Sequence, residues 1–253
     1  MESLEDELER AHELAVEDLA DAIEAIGFEC THCGACCKGD DPEDDAEREP
    51  HTATVFPEEA RRIRDGLNDE VEAGGAEHDP HSDDERGDGA ETRPYDWRDV
   101  ARPTPYGLRE GPDGPAGETF EWALAVDDCG DCTFYDEGAG EEAGGGCTIY
   151  GDRPLVCRTY PFSVALGGVD EPLGEVVDST GVVRAHECEG LGRDISREDA
   201  EALAATLKER AVREIAEAIA VRESYDPVET DERVVVHDSE GAKRPDGSAI
   251  DRE

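Results

Sequence analysis

Apolar residues return every three or four positions in two stretches of this chain. Over residues 3–26 the stripe is Leu4, Leu8, Ala11, Ala15, Leu19, Ala22 and Ile26, with acids between, which predicts an amphipathic helix. Gly27 is a natural stop for it. The second stripe is Leu203, Leu207, Ala211, Ile215 and Ile219. It predicts a helix opening at Ser196, whose hydroxyl caps the first turn while Asp199 completes a capping-box spacing. Both apolar faces are expected to pack on the domain between them.

That intervening stretch predicts shorter elements. A strand over Thr52–Phe56 leads into a helix with Pro57 in its first turn, and Glu58 and Glu59 suit its positive end. Residues 68–93 carry Gly74-Gly75, Asp79-Pro80 and Asp83-Asp84 almost without apolar side chains, which predicts a disordered acidic insert. Asp40–Pro50 reads as an acidic loop and Glu137–Gly146 as a flexible one. The turn cluster Gly111-Pro-Asp-Gly-Pro115 precedes a strand over Thr119–Val126, with Phe120, Trp122, Leu124 and Val126 on one face. Further short strands are expected around Phe162–Leu166, Glu175–Val177 and Val182–Ala185. After Tyr225 comes an acidic tail whose core formers are Val234, Val235 and Val236.

The resulting fold class is α+β: a small, irregular, metal-held cysteine-rich domain with short antiparallel strands, flanked by N- and C-terminal amphipathic helices. The expected organisation is a helix in 1–27, the cysteine domain in 28–193 with its insert at 68–93, a helix in 194–224 and the tail in 225–253. Composition explains the emphasis on metal. With 36% apolar residues in 253, the core is modest for the length, and metal crosslinks help to hold such a chain.

Charge changes the picture further. Sixty-eight acidic residues face 24 basic ones, for a net charge of −44. Lys38, Lys208 and Lys243 are the only lysines. The acids run through helices, loops and tail alike, a composition that resembles proteins of salt-accumulating halophilic archaea. Self-repulsion of this size opposes compaction in dilute buffer, and molar salt, with a screening length of roughly 3 Å, removes most of it. With no basic stripe to neutralise phosphates, nucleic acid is not an expected partner. The N-terminus has neither a positive region nor an apolar run, so no signal peptide or membrane span is expected, and the location read from this is cytoplasmic.

Nine cysteines remain to be explained, and a reducing compartment and an odd count both disfavour a disulfide framework. Cys30, Cys33 and Cys36 repeat a two-residue spacing that lets sulfurs converge on one centre, as three close cysteines do in bacterial ferredoxins. Cys37 departs from that pattern. Side chains of adjacent residues diverge, so Cys36 and Cys37 do not suit one mononuclear ion; Cys37 serves a second site or is a buried or reactive thiol. Soft thiolates favour zinc or an iron–sulfur cluster over hard cations.

The ordered set Phe28-x-Cys30-x-x-Cys33-Gly-x-Cys36-Cys37, Cys132-Thr-Phe-Tyr-Asp136, Gly146-Cys147-Thr-Ile-Tyr150, Arg153-Pro154, Cys157-Arg-Thr-Tyr-Pro161-Phe162 and Cys188-x-Gly190 resembles the YkgJ-like cysteine-cluster family. That family is known as a zinc- or iron-chelating domain of the CxxCxxCC type. The resemblance implies metal ligation by Cys30, Cys33, Cys36, Cys37, Cys132, Cys147, Cys157 and Cys188, and it names no reaction. Cys129 falls outside the set, although Cys129-Gly-Asp-Cys132 is itself a CxxC step.

Around the thiols, Arg153 and Arg158 either neutralise thiolate charge or pair with surface acids. Tyr150, Tyr160 and Phe162 are expected to shield the site as core. His32 and His186 are weaker ligand candidates, and His51, His78, His81 and His237 read as solvated. Phosphate-loop, dinucleotide and nucleophile-elbow motifs are absent from the sequence. The expectation is an iron–sulfur protein acting as electron carrier or as accessory to a redox or modifying-enzyme partner; the alternative is a zinc-stabilised binding module without turnover.

Overall fold

The computed structural model describes residues 3–40, 48–73, 93–138, 145–166 and 175–250. Among them the helices are α1 (Leu4–Glu13), α2 (Val16–Ile26), α3 (Pro57–Glu72), α4 (Leu155–Thr159) and α5 (Arg197–Ser224). The strands are β1 (Thr54–Val55), β2 (Ala101–Pro103), β3 (Leu108–Arg109), β4 (Ala116–Thr119), β5 (Trp122–Leu124), β6 (Tyr135–Asp136), β7 (Gly146–Cys147), β8 (Phe162–Val164), β9 (Val176–Thr180), β10 (Val183–His186), β11 (Val234–Asp238) and β12 (Gly241–Lys243). All sheet pairings but one are antiparallel. The class is α+β, as the patterning predicts.

The chain folds as two compact units, each discontinuous. The first joins Met1–Cys36 to Leu155–Ser224. Its core packs Leu19 and Ile23 of α2 against Ala200, Ala204 and Leu207 of α5, with Phe162, Val183 and Ala185 from the sheet β8-β10-β9. Ser196 caps α5 as expected, its Oγ accepting the Asp199 N–H at 3.1 Å. The N-terminal stripe is not one helix. It breaks at Leu14, whose extended backbone turns its carbonyl to the Lys208 ammonium of α5 at 2.6 Å. A long-range lysine contact leaves no trace in a local apolar period, so the stripe alone reads as continuous. Arg210, 2% exposed, crosses from α5 to the Thr159 hydroxyl at 3.0 Å and the Phe162 carbonyl at 3.2 Å. It ties α4 and β8 to the long helix.

The second unit joins Cys37–Pro154 to Tyr225–Glu253. Three sheets organise it: β1-β5-β2, β12-β11-β4-β3 and the pair β6-β7. The tail supplies β11, which pairs with β4 in the one parallel pairing among the described residues. Val234, Val235 and Val236 are its buried centre. Trp122, 1% exposed, donates its indole N–H to Asp238 at 2.9 Å, and Lys243 meets the same carboxylate at 3.2 Å.

Two local expectations change in this unit. The strand predicted over Thr119–Val126 is interrupted at Phe120–Glu121, leaving Phe120 exposed against the Tyr225 ring rather than beside Trp122 and Leu124. The opening of the predicted insert, residues 68–72, is instead the last turn of α3. Asn68 anchors it by accepting the Tyr95 N–H at 2.7 Å and donating to the Tyr95 carbonyl at 3.1 Å. Residues 74–92 of the insert, 41–47 of the acidic loop and 139–144 of the flexible loop lie outside the described residues. No described helix is long and apolar enough to cross a membrane.

Candidate metal centre

In the first unit, a backbone clasp brings the two ends of the cysteine motif together. Phe28 and Leu191 form an antiparallel bridge. The Glu29 N–H donates to the Gly190 carbonyl at 3.0 Å, and the Gly192 N–H to that of Gly27 at 3.0 Å. Antiparallel pairing counts outward from the bridge, so Cys30 falls opposite residue 189, beside Cys188. Two glycines make so close an approach sterically feasible. A Cβ on Gly190 would stand 2.3 Å from the Glu29 carbonyl oxygen, and one on Gly27 would stand 2.5 Å from that of Arg193. Behind the clasp, Phe28 meets Phe162 edge-on at 5.6 Å.

Two tight turns carry the other thiols of this unit. His32 and Gly34 flank Cys33 with φ of 54° and 75°, and a short 3-10 turn, Ala35–Cys37, follows. A positive φ at His32 is unusual for a residue with a side chain and marks a constrained turn. The Gly190 N–H points at the Cys188 sulfur at 3.4 Å, the type of contact that stabilises a thiolate ligand. Burial raises the Cys188 thiol above its ordinary pKa, that N–H opposes the rise, and the nearby Cys36, Cys33 and Cys30 thiols add to it. Cys157 sits partly buried on α4.

The second unit holds another group. The Cys132 N–H donates to the Cys37 carbonyl at 2.8 Å, and the Tyr135 N–H to the Cys132 carbonyl at 2.9 Å. Tyr135 pairs directly with Cys147 across β6–β7. Cys37, Cys132 and Cys147 thus stand on adjoining backbone, with Cys132 buried at 5% exposure and the other two partly buried. Lys38 lies over the Tyr135 ring, 5.1 Å from its centroid, and pairs with Glu137 at 3.1 Å. Cys129 is exposed on the neighbouring turn. There the Asp127 carboxylate accepts the N–H groups of Cys129 and Asp131 at 2.8 and 2.9 Å, and Arg48 joins Asp131 at 2.7 Å to the Cys129 carbonyl at 2.6 Å.

Over residues 29–189 the sequence matches the model of a family described as "Putative zinc- or iron-chelating domain", CxxCxxCC. The chain belongs to the CxxCxxCC family. No curated protein and no solved structure matches it. For this CxxCxxCC protein the donor chemistry fits the family's description. All nine cysteines are thiols rather than disulfides, and thiolates suit both zinc and iron. Among the described residues no group of three or more Cys, His, Asp or Glu side chains stands ready to hold a metal ion. The fit lies in donor type and backbone placement.

The histidines and aromatics divide differently from the sequence reading. His186 is buried in the sheet, its Nε2 2.9 Å from the Ser163 hydroxyl, while His32 is exposed. His237 is not solvated: it is 1% exposed, packed between Phe120 and Tyr225. Burial, reinforced by Arg102 and opposed by Asp131 and Asp40, pushes His51 down to about 4. Phe162 is core as expected, and the Tyr160 hydroxyl holds the Glu187 carbonyl just before Cys188. Tyr150 is 47% exposed and serves as a platform for Arg153, 3.7 Å above its ring. That stacking directs Arg153 to an aromatic face, a use that charge counting alone did not suggest.

Proposed function

We propose that this protein is a thiolate metal carrier whose principal centre is an iron–sulfur cluster, and that it serves a redox or modifying-enzyme partner as electron carrier or accessory. The observation that carries this reading is the clasp, which sets Cys188 beside the Cys30–Cys36 run although about 150 residues separate them in sequence. Three ferredoxin-like steps completed by a distant cysteine are the pattern of a cubane site. The proposed ligands are Cys30, Cys33, Cys36, Cys37, Cys132, Cys147, Cys157 and Cys188. A bound cluster supplies one-electron exchange. The chain's own part is to fix thiolate positions through the clasp, to donate the Gly190 N–H to the Cys188 sulfur and to leave Cys30 and Cys36 exposed toward a partner. We place this activity in a reducing, salt-rich cytoplasm, away from nucleic acid and membranes.

Anaerobic isolation followed by metal analysis and a visible spectrum tests the reading. Brown protein with iron and acid-labile sulfide is expected, and Cys33→Ser should lose both colour and iron. Colourless protein holding zinc would favour the zinc-stabilised binding module. Folded protein without metal would refute both.

A further inference from the structure

We propose two separate metal centres of different character: an exposed, exchangeable one on Cys30, Cys33, Cys36 and Cys188, and a less exposed, structural one built on Cys37, Cys132 and Cys147, with Cys157, the remaining thiol of the set, assigned to neither. This rests on the metal-binding reading above and deepens it, because a family description of chelation assigns neither number nor partition.

Three observations lead there. The first is the boundary between the compact units, which falls between Cys36 and Cys37. Neighbouring side chains point apart, and here the two residues also enter different backbone networks. Cys36 lies in the run closed by the Phe28–Leu191 clasp. Cys37 offers its carbonyl to the Cys132 N–H at 2.8 Å. The second is that each set is internally connected: the clasp joins Cys30 to Cys188, while Cys132 and β6–β7 join Cys37 to Cys147.

The third is exposure. Cys30 and Cys36 are exposed and Cys33 and Cys188 half-buried, whereas Cys132 is buried at 5% and Cys37 and Cys147 are half-buried. Release of a metal needs its ligands to open to solvent. Opening in well-packed regions costs far more than opening at the surface. The buried set also replaces core where apolar material is scarce. Phe134 and Ile149 are buried near it in sequence, and the strands it joins are two residues long. A metal there acts as a crosslink, as structural thiolate sites do.

The test uses the metal-loaded full-length protein. An excess of chelator is added anaerobically, and thiols are alkylated at timed intervals and located by mass spectrometry. Metal release is expected in two phases with rates separated by about tenfold or more. Cys30, Cys33, Cys36 and Cys188 should label together in the first, and Cys37, Cys132 and Cys147 together in the second. Cys188→Ser should remove the fast metal and leave the slow one in place. A single release phase, or Cys36 and Cys37 labelling together, would overturn the partition while leaving metal binding intact. An isolated wild type with no metal would instead sink the functional reading beneath it. Because the labelling is read on the wild type, the test survives a Cys188→Ser variant that fails to fold.

Discussion

At Gly190 one hydrogen atom decides whether the clasp can close. A methyl group there would meet the Glu29 carbonyl oxygen at 2.3 Å, a backbone atom that cannot swing aside. Gly190→Ala is therefore expected to cost about 1–3 kcal/mol through overpacking and to loosen Cys30 from Cys188. Calorimetry should show a lower Tm, and metal analysis a larger loss than the stability change explains. His51 carries a second residue-scale prediction. Its folded pKa of about 4 lies below the unfolded value of 6.5. Above pH 6.5 both states are neutral and stability is full. As pH falls from 6.5 toward 4, only the unfolded state takes up the proton, so stability is lost across that window, by on the order of 3 kcal/mol. Proton NMR should place the His51 titration near pH 4. Denaturant unfolding of His51→Gln should lose much less stability than wild type between pH 7 and 5.

Arg210 shows how elements are joined where apolar packing gives out. It is buried on α5, its Nε paired with Glu214 at 2.6 Å while the guanidinium serves the end of α4 and the start of β8. Replacing it with methionine keeps the stem but removes the guanidinium donor from the Phe162 carbonyl and from the Thr159 hydroxyl, which still donates to the Leu155 carbonyl at 2.8 Å. A loss of about 1–3 kcal/mol is expected, read by urea unfolding, with faster hydrogen exchange over residues 155–164. Elements of this kind were only partly legible beforehand. The helix at 197–224 and the strands β8, β9 and β10 follow from apolar periodicity and β-branched runs, because their sequence neighbours decide them. The break at Leu14 depends on Lys208, and the extension of α3 on Tyr95, contacts far along the chain that periodicity cannot register. The tiny strands β6 and β7 and the five-residue α4 are shorter than any period. Cys30, Cys33 and Cys36 stood out through their spacing, and the set of eight came only from the family resemblance. The divergence of adjacent side chains hinted at a division between Cys36 and Cys37, and the proposed partition builds on the pairing of Cys37 with Cys132.

Charge acts on the whole molecule. A net charge of −44 on 253 residues opposes compaction throughout. Exposed pairs such as Arg222–Glu5 and Arg61–Glu240 add little each in any case. Raising potassium chloride from about 0.1 to 1 M shortens the screening length from about 10 Å to about 3 Å, so Tm is expected to climb steeply over that range. Sucrose, which screens nothing, should give a much smaller rise at equal osmolarity. A flat salt response would mean that the acids are already neutralised by structure.

The interleaving of the two units sets the order in which this molecule can be finished. As the chain leaves the ribosome, α1, α2 and the opening cysteines emerge long before α5 exists to receive them. β4 waits even longer for its parallel companion β11. During that interval Cys30, Cys33, Cys36 and Cys37 are made while Cys188 is still untranslated, so the clasp cannot close and the proposed set of sulfurs is incomplete. On the proposed ligand set, filling therefore belongs to the completed polypeptide.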